Sequence, residues 1–115
     1  MFVQITTFDG PRSAAVVEAS TRAGRDRIAP LIDADPDLRA SLLGGVRAIA
    51  EDGGECIVVL AKDAAALDRL GHLVRTSELL PGEDPTLLTG PSRVVRYETT
   101  EAFGHLAALL TGVES

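Results

Sequence analysis

Two arginines stand mid-strand next to apolar residues: Arg47 in LLGGVRAIA and Arg96 in SRVVRYET. A guanidinium taken out of water must be paired or must meet an anionic or phenolic ligand. Glu55 and Glu98 are near enough in sequence to serve as structural partners, so a strand-edge ion pair competes with the ligand reading. The remaining chemistry-bearing residues are isolated. Cys56 is the single cysteine, which excludes an internal disulfide and a cysteine-based zinc site. Nothing places a base beside it, and in an apolar strand it reads as a small hydrophobe. His72 falls about 140° around its helix from Leu67, off the apolar stripe, with Asp68 one turn earlier. It reads as an exposed histidine near a carboxylate. His105 sits in the tail and faces solvent. Two isolated histidines make no metal-ligand spacing, so no metal and no cofactor is expected. Ser13 and Ser92 lack a triad context and read as caps or element ends.

The elements that would position these groups follow from patterning. FVQITTF, residues 2–8, is β-branched and aromatic and reads as a strand closed by Asp9-Gly10-Pro11. Ser13 caps a helix whose face is Val17, Thr21, Gly24, Ile28 and Leu31, with Pro30 ending or kinking it near Ala29. Residues 33–37 read as a solvated acidic loop. A strand over 42–50, a hairpin at Asp52-Gly53-Gly54 and the strand ECIVVLA over 55–61 come next. Asp63 caps a second helix with the stripe Leu67, Leu70, Gly71 and Val74. Residues 77–91 hold Pro81, Pro85 and Pro91 and read as an irregular connection to a strand over 92–99. A tail helix follows, with Phe103, Leu106 and Leu110 on one face and Gly112 past its end. The order is β-α-β-β-α-β plus a tail helix. This predicts one α+β domain over residues 1–115: a ferredoxin-like, four-stranded antiparallel sheet with two helices on one face.

Both faces of the third strand are apolar, so both must be covered. A two-residue turn at the hairpin would place Arg47 and Ile49 with Cys56, Val58 and Leu60, leaving Val46 and Ala48 with Ile57 and Val59 under the helices. Gln4, Thr6, Phe8, Val94 and Arg96 would join the face away from the helices, and Val95 and Tyr97 the core. An apolar face with a few convergent polar groups reads as a ligand cavity and equally as a dimer interface. The candidate ligand-contacting set is Gln4, Thr6, Phe8, Arg47, Val58 and Arg96.

The stretch PDLRASLLGGVRAIAEDGGECIVVLAKDAAALDRL, from Pro36 to Leu70, resembles the dimeric α/β-barrel superfamily, in its antibiotic-biosynthesis monooxygenase branch. The shared pattern is a Pro-containing loop, a strand, an Asp-Gly hairpin, an apolar strand and an acid-capped, alanine-rich helix start. The resemblance implies a homodimer with two sheets packed face to face, and a pocket between sheet and helices or within the barrel. It implies a small apolar or aromatic ligand and cofactor-independent oxygenase chemistry, which would stabilise a desolvated phenolate. The departures bear on that chemistry. Ala61-Lys62-Asp63 stands where members often carry Trp-x-Ser/Asp, and Asn and Trp are absent from the chain. The Asn, Trp and His of haem-degrading members correspond to Thr6, Leu70 and Leu80. No catalytic residue carries over, so a non-catalytic dimeric binding or accessory protein is the competing reading.

Composition narrows the field further. The chain has 115 residues, a hydrophobic fraction of 45% and a formal charge of −6. The acidic balance argues against a nucleic-acid partner. The longest apolar run, residues 56–61, is too short to span a bilayer, and the first residues show no secretory signal pattern. The expectation is a soluble cytoplasmic protein.

Overall fold

The structure is a computed structural model that describes residues 1–108. Strand β1 (Phe2–Phe8) is followed by helix α1 (Ala14–Arg22), a π turn (Ala23–Ile28) and helix α2 (Ala29–Asp33), which run on without a break. Helix α3 (Pro36–Ser41), β2 (Leu42–Ile49), β3 (Glu55–Ala61), α4 (Ala64–Thr76) and β4 (Arg93–Glu98) complete the sheet and its helical layer. The four strands form one antiparallel sheet in the order β2-β3-β1-β4. This α+β arrangement is compatible with a ferredoxin-like fold. The tail expected to be helical begins as a 3₁₀ turn at Gly104–Leu106, and its predicted face residue Leu110 and end Gly112 lie outside the described residues.

The caps follow sequence chemistry. Ser13 Oγ accepts from the Val16 N–H at 3.2 Å, and Asp63 Oδ1 from the Ala66 N–H at 2.8 Å. Two elements depart from expectation. The first helix does not stop at Pro30. It widens instead, the Ala29 N–H reaching back to Gly24 O in π register just before the proline that has no N–H to give. The acidic segment is not all loop either: Asp35 caps α3 by accepting from Leu38 N–H at 3.1 Å, with Pro36 in the first turn. Residues 77–91 are irregular, as expected, apart from a 3₁₀ turn at Pro85–Leu87.

The β2–β3 hairpin settles which side chains share a face. Ala50 N–H donates to Gly54 O at 2.8 Å, and Gly53 N–H to Ala50 O at 2.9 Å. Three residues, Glu51, Asp52 and Gly53, therefore make the loop, with Gly53 at φ +89°. The expected two-residue turn is corrected by one position, and in a strand one position exchanges the faces. Arg47 pairs with Ile57 and Ile49 with Glu55, while Val46 pairs with Val58. A Cβ on Gly53 would come within 2.3 Å of Arg12 O. Gly53→Ala is expected to cost about 2 kcal/mol or more, from the positive φ and that clash together. A urea denaturation midpoint equal to the parent's would contradict this.

The apolar core sits at one end of the sheet. Leu38, Ala61, Ala66 and Leu67 are buried there, with Phe2, Leu42, Val59, Leu70 and Leu73 packed against them. These contacts place the helices on the face of the sheet that carries Phe2, Val59 and Ala61.

Candidate functional site

The pairing registers turn the helix-facing side into a grid. Glu98, Phe2, Ala61 and Leu42 form its end row, apolar but for Glu98 at the β4 edge. Arg96, Gln4, Val59 and Gly45 form the next, then Val94, Thr6, Ile57 and Arg47, and last Phe8, Glu55 and Ile49. Five members of the candidate set, Gln4, Thr6, Phe8, Arg47 and Arg96, thus do share one face. It is the face beneath the helices, not the bare one. Val58 lies on the opposite side, opposite Ile5 and Val46. The three-residue hairpin loop accounts for the β2 part of this correction. On β1 and β4 the helices cover the side that holds Gln4 and Arg96, so Val95 and Tyr97 face away from the core rather than into it.

The end of the grid farthest from the apolar core is polar. Glu55, with its side chain 1% exposed, opens β3 and points under α1. Arg47 binds it in a fork, Nε to Oε2 and Nη2 to Oε1, both at 3.0 Å. Arg12 Nη1 donates to Oε1 at 3.2 Å, and Ser20 Oγ from α1 to the same oxygen at 3.1 Å. The Arg12 guanidinium lies 5.0 Å from the centroid of the Phe8 ring, a cation–π distance. Burial pushes the Glu55 carboxyl up. The hydrogen bonds from Arg47 and Arg12, the Arg47 charge and Ser20 outweigh it, and the group titrates below its ordinary value.

Arg96 occupies the other edge of the face. Its Nη2 donates to Gln4 Oε1 at 3.2 Å and to Asp68 Oδ1, on α4, at 2.9 Å. Asp68, expected beside His72, is turned to Arg96 instead. His72 is exposed, as is His105, and Cys56 is half-buried on the helix-free face. Among the described residues no group of three or more His, Cys, Asp or Glu side chains is placed to hold a metal ion. Glu55 as the partner of Arg47 was foreseeable, whereas Glu98 pairs with neither arginine. Arg12 and Ser20 were not singled out. The available signal was an acid opening the most apolar strand, since such a group needs more than one donor once buried.

Two surface grooves lie apart from this grid. One, of about 230 Å³, runs between α1 and the connection to β4, beside Glu18, Arg22, Glu83 and Leu87. The other, of about 540 Å³, lies between the π turn and the end of α4, beside Arg27, Leu31, Leu73 and Leu80. Neither is lined by a member of the candidate set. At their junction Arg27 Nε holds Glu83 Oε2 at 2.8 Å, and Arg27 Nη1 also donates to Ser77 Oγ.

The bare side of the sheet is apolar across its width. Its middle row is Val95, Ile5, Val58 and Val46, flanked by Tyr97, Val3 and Leu60 on one side and Arg93, Thr7, Cys56 and Ala48 on the other. Val46 is 64% and Tyr97 53% exposed. The two faces thus differ in kind: apolar core and polar groups share the side beneath the helices, while the bare side is almost wholly apolar and faces solvent. No helix among the described residues is long and apolar enough to cross a membrane. No protein-family model matches this sequence, and no curated protein matches it.

Proposed function

We propose that the chain is a homodimeric protein of the dimeric α/β-barrel kind that holds a small, largely apolar or aromatic molecule between its sheet and its helices. The observation that carries this reading is the apolar character of the helix-free sheet face. A bare row of Val95, Ile5, Val58 and Val46 calls for a second apolar surface, and a second copy supplies one by symmetry.

The ligand half of the reading rests on Gln4 and Thr6. They stand on β1, a central strand, and point toward the helices, yet both remain half-buried rather than closed off. A well-filled layer would leave such positions dry. Thr6, Ile57 and Val59 would give a ligand in this layer an apolar floor, with Gln4, Arg47 and Arg96 as polar groups at its margins. Phenolate stabilisation by Arg96 or Arg47, followed by reaction with oxygen, is the chemistry that the family resemblance brings to such a site.

A second reading, a non-catalytic accessory dimer, is favoured by one observation: both candidate arginines already have carboxylate partners within the chain. Native mass spectrometry of the protein, purified from the cells that make it, separates the two. The expected result is a dimer that retains a small-molecule mass until denatured. An empty dimer would favour the accessory reading, and a stable monomer at micromolar concentration would remove the barrel arrangement.

A further inference from the structure

In the buried cluster at the polar end of the grid two guanidiniums face one carboxylate, while the nearby acids Asp9, Glu51 and Asp52 are exposed. Arg12 and Arg47 both donate to Glu55 Oε1, at 3.2 and 3.0 Å, so two guanidiniums share one carboxylate. Asp52, the next acid along the hairpin, accepts from Gly54 N–H at 2.9 Å and is paired with neither arginine. The Arg12 side chain is 8% exposed, and its buried Nε–H has no hydrogen-bond partner. The Arg47 side chain is 31% exposed, and its fork onto Glu55 uses Nε and Nη2, leaving Nη1 uncommitted. A guanidinium N–H held out of water without an acceptor, as at Arg12, is costly, and an added carboxylate oxygen would relieve it. Guanidinium donors held in place by an existing carboxylate are well suited to a second one, because their geometry is fixed before the ligand arrives.

We infer that Arg12 and Arg47 form a receptor for a carboxylate, so that the molecule held between sheet and helices is an organic acid with an apolar body. Glu55 is a positioning residue here: it orients both guanidiniums. Ile57 and Phe8, in adjacent rows of the same face, provide the apolar contact beside the acid group. The inference rests on the reading of this layer as a ligand site and names the ligand class for it.

The test is a titration of the full chain with benzoate and with its uncharged analogue benzamide at constant ionic strength. Nitrogen-15 NMR of the arginine Nε–H groups is the readout. Benzoate is expected to shift the Arg12 and Arg47 signals saturably, with a dissociation constant on the order of 1 mM for so small a ligand. Benzamide should bind at least ten-fold more weakly. Arg47→Gln should weaken benzoate at least ten-fold, whereas Arg69→Gln, which removes an exposed guanidinium held by Asp35, should leave it unchanged. Equal binding of benzoate and benzamide, absence of saturable shifts at Arg12 and Arg47, or parental affinity in Arg47→Gln would each overturn the receptor. If Arg47→Gln does not fold, the benzamide comparison on the parent chain decides alone. A dimer that retains a neutral molecule but ignores benzoate overturns the receptor and leaves the proposed function standing. A monomer that binds benzoate at these two arginines does the reverse.

Discussion

Val58→Asp is expected to convert the proposed dimer into a folded monomer, weakening association at least a hundred-fold. Val58 lies in the middle row of the bare face, between Ile5 and Val46. Among the described strand residues no cation lies in that row, and the one charged side chain on the face is Arg93 in a flanking row. Closing this face against a copy of itself would bury two unpaired carboxylates, one from each protomer, and each such burial costs several kcal/mol. The single chain should tolerate the change, because the side chain then stays in water. Sedimentation equilibrium gives the association constant and circular dichroism the fold. Leu31→Asp, on an exposed position of α2, is the control and should leave the dimer intact. A Val58→Asp protein that remains dimeric would exclude this face as the interface.

Glu55→Ala is expected to destabilise the fold by about 3 kcal/mol or more, the largest single effect at the polar end. Removal of the carboxylate leaves Arg12 buried at 8% exposure with its remaining bond to Gly53 O at 3.4 Å, and it releases Arg47 and Ser20. Breaking a buried pair by deleting one partner costs more than the pair itself contributes, because a charge stays behind. The same residue sets an acid limit. Its carboxyl titrates below the ordinary 4.5 in the folded chain, so folding favours the ionised form. The contribution is fully present above that ordinary value and is lost as pH falls through the lower, folded one. Glu83 is lowered too, by the Leu80 N–H and Arg27, and adds a slope of the same sign. The informative quantity is therefore the difference between the parent and Glu55→Gln. Urea midpoints of the two should differ by a constant amount from pH 7 to 5 and converge below it. A gap that stays constant down to pH 3 would show that Glu55 ionisation does not support the fold.

Much of the scaffold was legible in local chemistry. FVQITTF and ECIVVLA announce β1 and β3 because β-branched side chains suit a pleated surface, and Ser13 and Asp63 announce two helix starts. Asp35-Pro36 carried the same cap-and-proline signal, but its acidic neighbours hid it. Pro30 marked a change of helical register and not an end: the π turn stops at Ile28, and α2 begins at Ala29 with the proline in its first turn. The site was legible in membership and not in orientation. Gln4, Thr6 and Phe8 belong together by period-two alternation, and Arg96 joins them through the β1–β4 register. Which face they occupy depends on where the helices land, a tertiary fact that alternation does not encode. Arg12 reaches Glu55 from a loop, across a sequence separation that no periodicity marks.

The Glu51-Asp52-Gly53 loop has one more consequence. Its length acts as a parity bit for the whole of β2. A deletion of a single codon there would carry Val46 inward and Arg47 outward, exchanging the ionic anchor for the contact surface in one mutational step. Point substitutions along β2 can tune either face separately, but this loop changes both together. Drift in its length is thus open to purifying selection even though its middle residues, Glu51 and Asp52, are exposed.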